Sequence, residues 1–474
     1  MRAATALPAL AVTLILGGCS LSPRYQRPAV PAAPAYKEAG EWKVATPADA
    51  TPRGPWWTKF HDGELDALEA QVGSANQSLR GALARLEQAR AETRIARAAW
   101  FPLLAAQASA VRQQTSRNGL AFARGGPVTG NLYSAEGDLS YELDLFGRVR
   151  SSVTGARASE QASAGDAAAL DLSVHAELAS DYFTLRALDL QQQLLDRTVA
   201  DYAKALELTQ NLYRGGAAAI ADVQQAQAQL ESARTQAEDT RLRRAQTEHA
   251  IAVLVGRAPS DFTLPARTDG AAELPVPELD PGLPSQLLER RPDVAAAERR
   301  VAAANAAIGV ARAAYFPVFS LNATAGVEST AASNWLSAPS RFWSLGPQGV
   351  LTLFDAGAHA AQSAAAHAAY DEQVANYRNT VLVAFQDVED NLAALRQLER
   401  ESVSQAAAVT ATHGALEQAN LRYKGGIVSY LEVVSTENAA LAARLAAVDI
   451  GLRRTVATVL LVKALGGDWQ SSQP

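Results

Sequence analysis

Polar and apolar residues alternate in two short stretches of the chain, one in each half. Residues 319–327 carry apolar side chains at the odd positions and Ser, Asn, Thr or Gly at the even positions. Residues 138–145 carry Leu or Tyr at the odd positions and Asp, Ser or Glu at the even positions. A period of two predicts strands with one apolar face. Because the other face carries charges, we expect it to meet water, although a soluble sandwich sheet is also compatible with the pattern.

Long helices are predicted on the C-terminal side of each alternating stretch. Neither residues 166–214 nor residues 358–413 contain Gly or Pro, and the 56 residues of the second run would span about 84 Å as one straight helix. A tight hairpin inside each run would halve that length. Residues 217–255 then carry mostly small apolar side chains at a spacing of three and four, which predicts a coiled-coil seam with closely approaching backbones.

The sequence repeats itself once. Residues 96–102 (Ala-Arg-Ala-Ala-Trp-Phe-Pro) return as residues 311–317 with Tyr in place of Trp, and later markers recur at a constant offset of 210 residues. These markers are Gly147 and Gly357, Tyr213 and Tyr423, and the pairs Gly215-Gly216 and Gly425-Gly426. Self-similarity of this kind predicts two copies of one structural unit. Each copy should contain a helix, two strands and long helices, with the first helix over residues 76–100 or 293–315.

The order of segments follows from this repeat. A first repeat covers residues 62–256, a Pro-rich linker residues 257–283, a second repeat residues 284–467, and a short tail residues 468–474. The predicted fold class is therefore mainly α with a small β part. Four strands from one chain cannot close a membrane barrel, and an open sheet edge in lipid leaves backbone groups unpaired. Insertion of this sheet into a membrane would therefore require several chains.

The N-terminus carries an export signal. Residues 1–18 contain Arg2, an apolar stretch and a Gly pair, the composition of a secretory signal peptide. Leu16-Gly17-Gly18-Cys19 has the form of a bacterial lipobox, which is cut between Gly18 and Cys19 and acylated on the Cys thiol; a plain signal peptide with an incidental Cys is the alternative. Ser20 favours delivery to the outer membrane. Residues 19–61 are rich in Pro, and we expect an extended, lipid-anchored tether without a core of its own.

Composition and charge exclude several protein classes. The single Cys excludes a disulfide framework, and the net charge of −6 with a pI near 5.7 argues against nucleic-acid binding. No apolar run reaches the roughly 18 residues of a transmembrane helix, which excludes a polytopic helical membrane protein. His249, His359 and His367 lack partners at metal-ligand spacing, and the chain contains no known catalytic motif. We therefore expect neither an enzyme nor a bound metal or cofactor.

Short motifs in a familiar order extend over nearly the whole mature chain. They are Cys19 in the lipobox, Trp56-Trp57, Glu142-Leu143-Asp144-Leu145-Phe146-Gly147, Tyr213-Arg214-Gly215-Gly216, Arg290-Arg291-Pro292-Asp293, Leu353-Phe354-Asp355 and Arg422-Tyr423-Lys424-Gly425. By these motifs the chain resembles the outer-membrane factors of tripartite efflux pumps, the TolC-like proteins, and in particular their lipoprotein branch of the NodT/OprM type. The resemblance implies a homotrimer in which four strands per chain form a 12-stranded outer-membrane β-barrel. A mixed equatorial belt and a long periplasmic α-helical barrel would continue it.

The function implied by the resemblance is passive conduction. The protein would be the outer-membrane exit duct for small molecules, supplied by an inner-membrane efflux pump through a periplasmic adaptor and seated in outer-membrane lipid. A channel of this kind needs a polar lining and a constriction that opens. The alternative is a non-conducting periplasmic coiled-coil structural lipoprotein, which the two amphipathic strand pairs disfavour.

The resemblance also implies where the duct closes. TolC-like proteins close at the periplasmic tips of their helices, which the repeat would place near residues 186–201 and 396–403. The candidate gate residues are Glu399, Arg400, Glu401, Glu417 and Glu207, the copy of Glu417. An ordinary solvated helix charge is the alternative for each of them.

Two further sets of residues are candidates for the conduction path. Gly215, Gly216, Gly425 and Gly426 would break the long helices and act as pivots. The polar positions of the predicted strands would line the barrel lumen. These are Asp138, Glu142, Asp144, Asn322 and Thr324.

Overall fold

The structure of the chain is a computed structural model that describes residues 21–30, 54–114, 116, 129–267, 274–277 and 291–467. The signal peptide, Cys19, residues 31–53, parts of the linker and the tail lie outside the described residues. The chain divides into two compact units. Of the described residues, those within 1–29, 85–164 and 296–378 belong to unit 1, and those within 30–84, 165–295 and 379–474 belong to unit 2.

Each half of the chain contains a helix, a pair of strands and two long helices, in the order that the repeat predicts. The helices are α1 Gly63–Ala75, α2 Gln77–Ala98, α3 Arg148–Arg214, α4 Ile220–Leu254, α5 Pro292–Ala313, α6 Ala358–Lys424 and α7 Tyr430–Ala464. The strands are β1 Leu103–Gln114, β2 Thr129–Leu143, β3 Val318–Ser329 and β4 Arg341–Val350. The two predicted first helices, α2 and α5, begin and end within two residues of their predicted positions.

The long helices α3 and α6 are each continuous over 67 residues. At 1.5 Å per residue each has a contour length of about 100 Å. The alternative of a hairpin inside each Gly- and Pro-free run is therefore excluded. No helix among the described residues is both long enough and apolar enough to cross a membrane.

Unit 1 contains a four-stranded antiparallel sheet in the order β1-β2-β3-β4. The register pairs Ala108 with Ala135, Asp138 with Thr324, and Ala325 with Trp343. Within the described part of the chain, β1 and β4 each have a neighbouring strand on one side only. The sheet of a single chain therefore has two open edges.

The core of unit 2 joins α1, α3 and the C-terminal ends of α4 and α7. Its fully buried side chains include Leu65, Val72, Leu178, Phe183, Ile251 and Val459. Further along α4, the predicted seam is confirmed, because Ala226, Leu230, Ala233 and Ala237 are at most 4 % exposed. Small side chains at this spacing allow neighbouring helix backbones to approach closely.

The prediction that residues 19–61 form a tether without contact to a core is wrong for the parts of this segment that the structure describes. Trp56 and Phe60 lie in a short 3-10 helix, are 2 % and 4 % exposed, and belong to the core of unit 2. Residues 21–30 bind to helices of unit 1. A Pro-rich composition predicts an extended backbone, but it does not decide whether the aromatic side chains on that backbone are buried.

Candidate functional site

The sheet of unit 1 has one apolar and one polar face. One row of neighbours across the four strands is Leu104, Leu139, Ala323 and Leu345, and the next row is Ala105, Asp138, Thr324 and Ser344. Successive positions on a strand point to opposite faces, so the predicted alternation is confirmed on β2 and β3, and in these two rows it extends to β1 and β4. A sheet of this kind can meet lipid with one face and water with the other.

Polar side chains on the second face are linked across the strands. Thr324 Oγ1 donates to Asp138 Oδ1 at 2.7 Å, and Asn322 Nδ2 donates to Gln348 Oε1 at 3.1 Å. Asp138, Asn322 and Thr324 therefore share one face, and their role in a lumen stays a prediction. Glu136 and Glu328 lie on the same face by register and were not among the predicted residues. The period of two was sufficient to find Glu328, because it continues the even-numbered polar series of β3.

The remaining two carboxylates of the predicted lumen set bind the start of α3. Glu142 accepts from Arg148 Nε at 2.8 Å. Because β2 ends at Leu143, Asp144 lies beyond the strand, and its carboxylate accepts from the backbone N–H groups of Val149 and Arg150, both at 2.9 Å. A carboxylate at this position satisfies N–H groups that have no partner within the helix. The predicted place of Asp144 on a lumen-facing strand is therefore wrong, and Asp144 caps α3 instead.

The two long hairpins turn at the predicted Gly pairs. Gly216 and Gly426 have φ angles of 74° and 69°, a left-handed conformation that Gly adopts without steric cost. Ala217 N donates to the Leu212 carbonyl at 2.8 Å, and at the second turn the equivalent bond joins residues 427 and 422 at 2.9 Å. These bonds define a Schellman motif at the end of α3 and of α6. The Gly pairs therefore form the turns, and their role as pivots stays a prediction.

The predicted positions of the helix tips are wrong. Residues 186–201 and 396–403 lie inside α3 and α6, and Arg400 is 24 residues, or about 36 Å, before the end of α6. A reversal of the chain needs residues that can leave the helical conformation, and these two segments contain neither Gly nor Pro. Glu207 and Glu417 each lie seven residues before the end of their helix and are the gate candidates nearest to the turns.

The four gate candidates on α6 are exposed, and three of them form ion pairs within the chain. Glu399 pairs with Arg454, and Glu401 lies 3.4 Å from Arg453, so both link α6 to α7. Glu417 lies 3.4 Å from His413 on the same helix. Because 16 residues of one continuous helix separate positions 401 and 417, the structure does not bring the two groups of candidates together.

Residues 186–189, which were expected at a tip, form buried ion pairs in unit 2. Arg186 is 3 % exposed and donates to Asp189 at 2.8 Å and to the Pro265 carbonyl at 2.9 Å. Asp189 also accepts from Arg244 of α4 at 2.6 Å. These contacts fasten α3 to α4 and to the first residues of the linker. The charges were visible in the sequence, but nothing in it indicated that the linker would cover them.

A second buried pair of charged residues joins α1 to α3. His175 Nδ1 lies 2.5 Å from Glu69 Oε2, and the His175 ring stacks on Trp57 with centroids 4.5 Å apart. Burial raises the pKa of Glu69 to about 7, although the contact with His175 opposes the shift. Burial lowers the pKa of His175, but hydrogen bonds and charges of Asp171 and Glu69 outweigh it and raise the pKa to about 9. The sequence analysis identified Trp57 as part of a motif, but neither Glu69 nor His175.

Different side chains close the two hairpin turns. Asp222 accepts from the backbone N–H of Ala219 at 3.0 Å and so closes the first turn of α4. Its copy, Glu432, instead accepts from Arg422 Nη1 at 2.8 Å across the second turn. In the part of the chain that the structure describes, no group of three or more His, Cys, Asp or Glu side chains is arranged to hold a metal ion.

Known proteins are similar to this chain in sequence and in fold. The pattern of the family described as "Outer membrane efflux protein" matches residues 70–257 and 283–467. The chain is 33 % identical over 472 residues to the outer membrane protein OprJ of Pseudomonas aeruginosa, with 100 % of this chain and 98 % of OprJ covered. It is 35 % identical over 466 residues to the toluene efflux pump outer membrane protein TtgC of Pseudomonas putida, with 98 % and 96 % covered. The solved structure of the outer-membrane channel OprN is similar with a TM-score of 0.86 at 30 % identity, with 96 % of this chain and 100 % of OprN covered.

Proposed function

Because the chain belongs to the outer membrane efflux protein family, we propose that it is the exit duct of a tripartite efflux system. The duct passively conducts small molecules that an inner-membrane pump delivers through a periplasmic adaptor, and it performs no chemical step. The observation that carries the proposal is the four-stranded sheet with an apolar face, a polar face and two open edges. The function of a periplasmic coiled-coil lipoprotein without a pore would not require an amphipathic sheet with open edges.

The open edges of the sheet favour a homotrimer. In lipid, an unpaired strand edge leaves backbone N–H and C=O groups without partners, at a cost of several kcal/mol for each group. If β1 of one copy pairs with β4 of the next, no edge remains, and three copies of the four-stranded sheet close a 12-stranded barrel. In that arrangement the apolar face meets outer-membrane lipid, and Asp138, Asn322 and Thr324 line the lumen.

The hairpin turns are the proposed site of closure. Glu207 and Glu417 lie beside the two turns at equivalent places in the repeat. In a trimer they would supply six carboxylates close to the conduction path, and such a ring attracts cations and repels anions. The same turns, with Gly215-Gly216 and Gly425-Gly426, would be the end of the chain that meets the adaptor.

Acylation of Cys19 belongs to the same proposal. The support for it is the lipobox and the absence of any other Cys in the chain. We expect Cys19→Ser to abolish labelling with radioactive palmitate in cells, while a control with Ser20→Ala keeps the label. Labelling that persists in the Cys19→Ser variant would contradict acylation at this residue.

Conductance in planar lipid bilayers tests the duct itself. We expect stepwise current after the purified protein is added, and a mass in detergent about three times that of one mature chain. A structural lipoprotein would give no current at any concentration. A stable monomer with folded strands would contradict the trimer, since a single sheet cannot satisfy its own edges in lipid.

A further inference from the structure

Two arginines interrupt the apolar face of the sheet. Arg341 lies opposite Val327, in the same row of neighbours as Ala108, so it is on the apolar face. Arg112 follows Ala108 by four positions on β1, and because side chains alternate between the faces of a strand, it is on the same face. A face whose neighbouring positions are mostly apolar therefore carries two positive charges.

The two arginines lie at the same level of the sheet. Arg112 is nine residues after Leu103, where β1 begins, and Arg341 is nine residues before Val350, where β4 ends. Both of these strand ends are next to helices, since β1 follows α2 and β4 precedes α6. Nine residues extend about 30 Å along a strand. At a strand tilt of about 40° this is a height of about 23 Å, close to the apolar band of about 25 Å in outer-membrane barrels.

Neither guanidinium group is neutralised by the chain. The side chains of Arg112 and Arg341 are exposed, and among the residues that the structure describes no carboxylate forms an ion pair with either of them. Arg148, next to the other end of β2, in contrast pairs with Glu142. An arginine on the outer face of a barrel is costly in the middle of the lipid and tolerated near the headgroups. Two unpaired cations thus lie at the level where the headgroups of one leaflet begin.

The surface beside Arg341 is low and apolar. Trp343 follows it by two positions on the same face and is 78 % exposed. The residues that share a row with Trp343 or Arg341 on the other three strands have side chains no larger than that of Val. They are Ala106, Gly137, Ala325, Ala108, Ala135 and Val327. Small side chains next to an exposed indole leave room for acyl chains immediately below the arginines.

In the proposed trimer the two arginines come to one seam. Since β1 and β4 are the open edges of the sheet, pairing them places Arg112 of one copy and Arg341 of the next on neighbouring strands. Neighbouring strands are about 4.8 Å apart. A guanidinium group has five N–H donors in a planar fork and can bind a phosphate group through two of them. Two such groups at one level match a ligand with two phosphate groups.

We propose that each seam of the barrel binds one lipid of the outer leaflet that carries two phosphate groups. Arg112 and Arg341 bind the phosphates, and the acyl chains cover the small side chains beside Trp343. The site is complete only in the assembled barrel, because the two strand edges meet only there. This inference rests on the proposed outer-membrane trimer, whose helices extend into the periplasm and whose arginines therefore face the outer leaflet.

Native mass spectrometry of the purified trimer, titrated with lipid A in detergent, tests the site. Lipid A is a glycolipid with two phosphate groups, and we expect up to three molecules to bind. Arg112→Gln with Arg341→Gln should weaken its binding by roughly 20-fold, because one arginine near an anionic lipid surface contributes about fivefold. Monophosphoryl lipid A should bind the wild-type trimer roughly fivefold more weakly than lipid A. Equal affinity of the wild type and the variant for lipid A would overturn the proposal.

A matched pair of arginines away from the sheet controls for net charge. Arg85 on α2 and Arg157 on α3 are exposed, and Arg85→Gln with Arg157→Gln removes the same charge. We expect this variant to bind lipid A as the wild type does. An equal loss in both double variants would mean that lipid A responds only to total charge, which overturns the site. Full displacement of lipid A by inorganic phosphate would overturn the part of the acyl chains.

The same spectra separate this inference from the proposed function. They report the number of chains and the bound lipid, so a variant that has lost lipid A but remains a trimer has not failed to fold. A wild-type trimer that conducts in planar bilayers and binds no lipid A would overturn the lipid site alone. A trimer that binds lipid A as expected and passes no current would support the site and contradict the duct.

Discussion

One ion pair occurs twice in this chain, in two different surroundings. Asp189 and Arg244 join α3 to α4, and the residues 210 positions later, Glu399 and Arg454, join α6 to α7. The carboxylate side chain is 1 % exposed in the first pair and 57 % exposed in the second. An ion pair thus joins the two helices of the hairpin in both repeats. Because the pair is buried in the first repeat and exposed in the second, its contribution to the free energy of unfolding differs.

The difference comes from the chain that covers the first pair. After α4 the linker folds back, so that the Leu264 carbonyl accepts from Arg244 at 2.7 Å and the Pro265 carbonyl accepts from Arg186 at 2.9 Å. Arg396, the copy of Arg186, is exposed. Removing one partner of a buried pair costs about 3–5 kcal/mol. An exposed pair contributes about 0–1 kcal/mol.

The contrast extends along the whole of the two long helices. Sixteen of the residues 172–209 in α3 are buried, against four of the equivalent residues 382–419 in α6. Burial of apolar surface stabilises the folded chain by about 25 cal/mol for each Å². Within one chain, α3 is therefore stabilised by packing in a core, whereas most side chains of α6 are not buried. We infer that the hairpin of α6 and α7 is the part of one chain that moves most readily when the duct opens.

The largest expected effect comes from the two equivalent arginines. Arg186→Ala leaves Asp189 buried without one of its partners, and we expect the free energy of unfolding to fall by about 3–5 kcal/mol. Arg396→Ala, the matched change in the second repeat, should cost no more than about 1 kcal/mol, as is usual for an exposed charged residue with a partner. Urea unfolding followed by circular dichroism measures both values. Equal losses would show that the two hairpins are equally fixed in the assembled protein.

Burial raises the pKa of Glu437 in the second repeat to about 7, but most of the pH dependence of stability should come from the first repeat. The pKa values of Glu69 and His175 are both raised in the folded chain, so both side chains bind protons more tightly there than in the unfolded chain. In the second repeat the copy of His175 is Phe385, which does not titrate. The contribution of His175 is fully present below pH 6.5 and is lost as the pH rises through about 9. Glu69 likewise favours the folded state less as the pH rises from 4.5 to about 7.

We therefore expect the free energy of unfolding to fall by roughly 1–3 kcal/mol between pH 5 and pH 9. Glu69→Gln should flatten the lower part of this curve, because a neutral amide does not titrate. His249→Asn changes a histidine for which we propose no partner and should leave the curve as it is. A wild-type stability that rises with pH over this range would contradict the assignment.

A smaller effect is expected at the two hairpin turns. Asp222→Ala removes the side chain that closes the first turn of α4, and we expect a loss of about 1 kcal/mol. Glu432→Ala removes an exposed pair with Arg422 and should cost about 0–1 kcal/mol. Hydrogen exchange of the amides at residues 215–222 and 425–432 measures the local opening of each turn. Faster exchange at the second turn in the unmodified protein would support its greater mobility, and slower exchange would contradict it.

Most of the secondary structure could be predicted from regular local patterns in the sequence. The period of two predicted the strands, and the absence of Gly and Pro predicted the long helices, because both features act through the backbone of a few neighbouring residues. The repeat and the family resemblance do not locate the tips at residues 186–201 and 396–403, because the turns need Gly216 and Gly426, which adopt the positive φ of a tight turn.

Contacts between distant segments escaped the sequence analysis. The docking of Tyr25 on Glu298 and the cover of Asp189 by the linker join residues that are far apart along the chain. No local pattern encodes such pairs, since each depends on how two elements meet. The local period of two likewise predicts Asp144 on a strand, but its carboxylate caps α3, which begins four residues later.

The smallest expected energies concern the gate candidates. Neutralising Glu399, Arg400 and Glu401 together to Gln removes the exposed pairs with Arg453 and Arg454. Each pair contributes about 0–1 kcal/mol, but three symmetric copies act together in a trimer. We expect a higher single-channel conductance because the hairpin of α6 and α7 loosens. The exposed pair of Glu231 and Arg234 on α4 is the matched control, and its neutralisation should leave the conductance unchanged.

Glu417 lies close to the second turn, at the proposed constriction, so we expect it to bind ions and not to hold helices together. A ring of three carboxylates concentrates cations, and Glu417→Gln should therefore weaken block of the current by divalent cations. If the hairpin of α6 and α7 lies nearer the conduction path than the hairpin of α3 and α4, the same change at Glu207 should weaken the block less. Equal effects of the two changes would place both hairpins at the constriction. An unaltered block in both variants would mean that Glu207 and Glu417 are solvated charges outside the path.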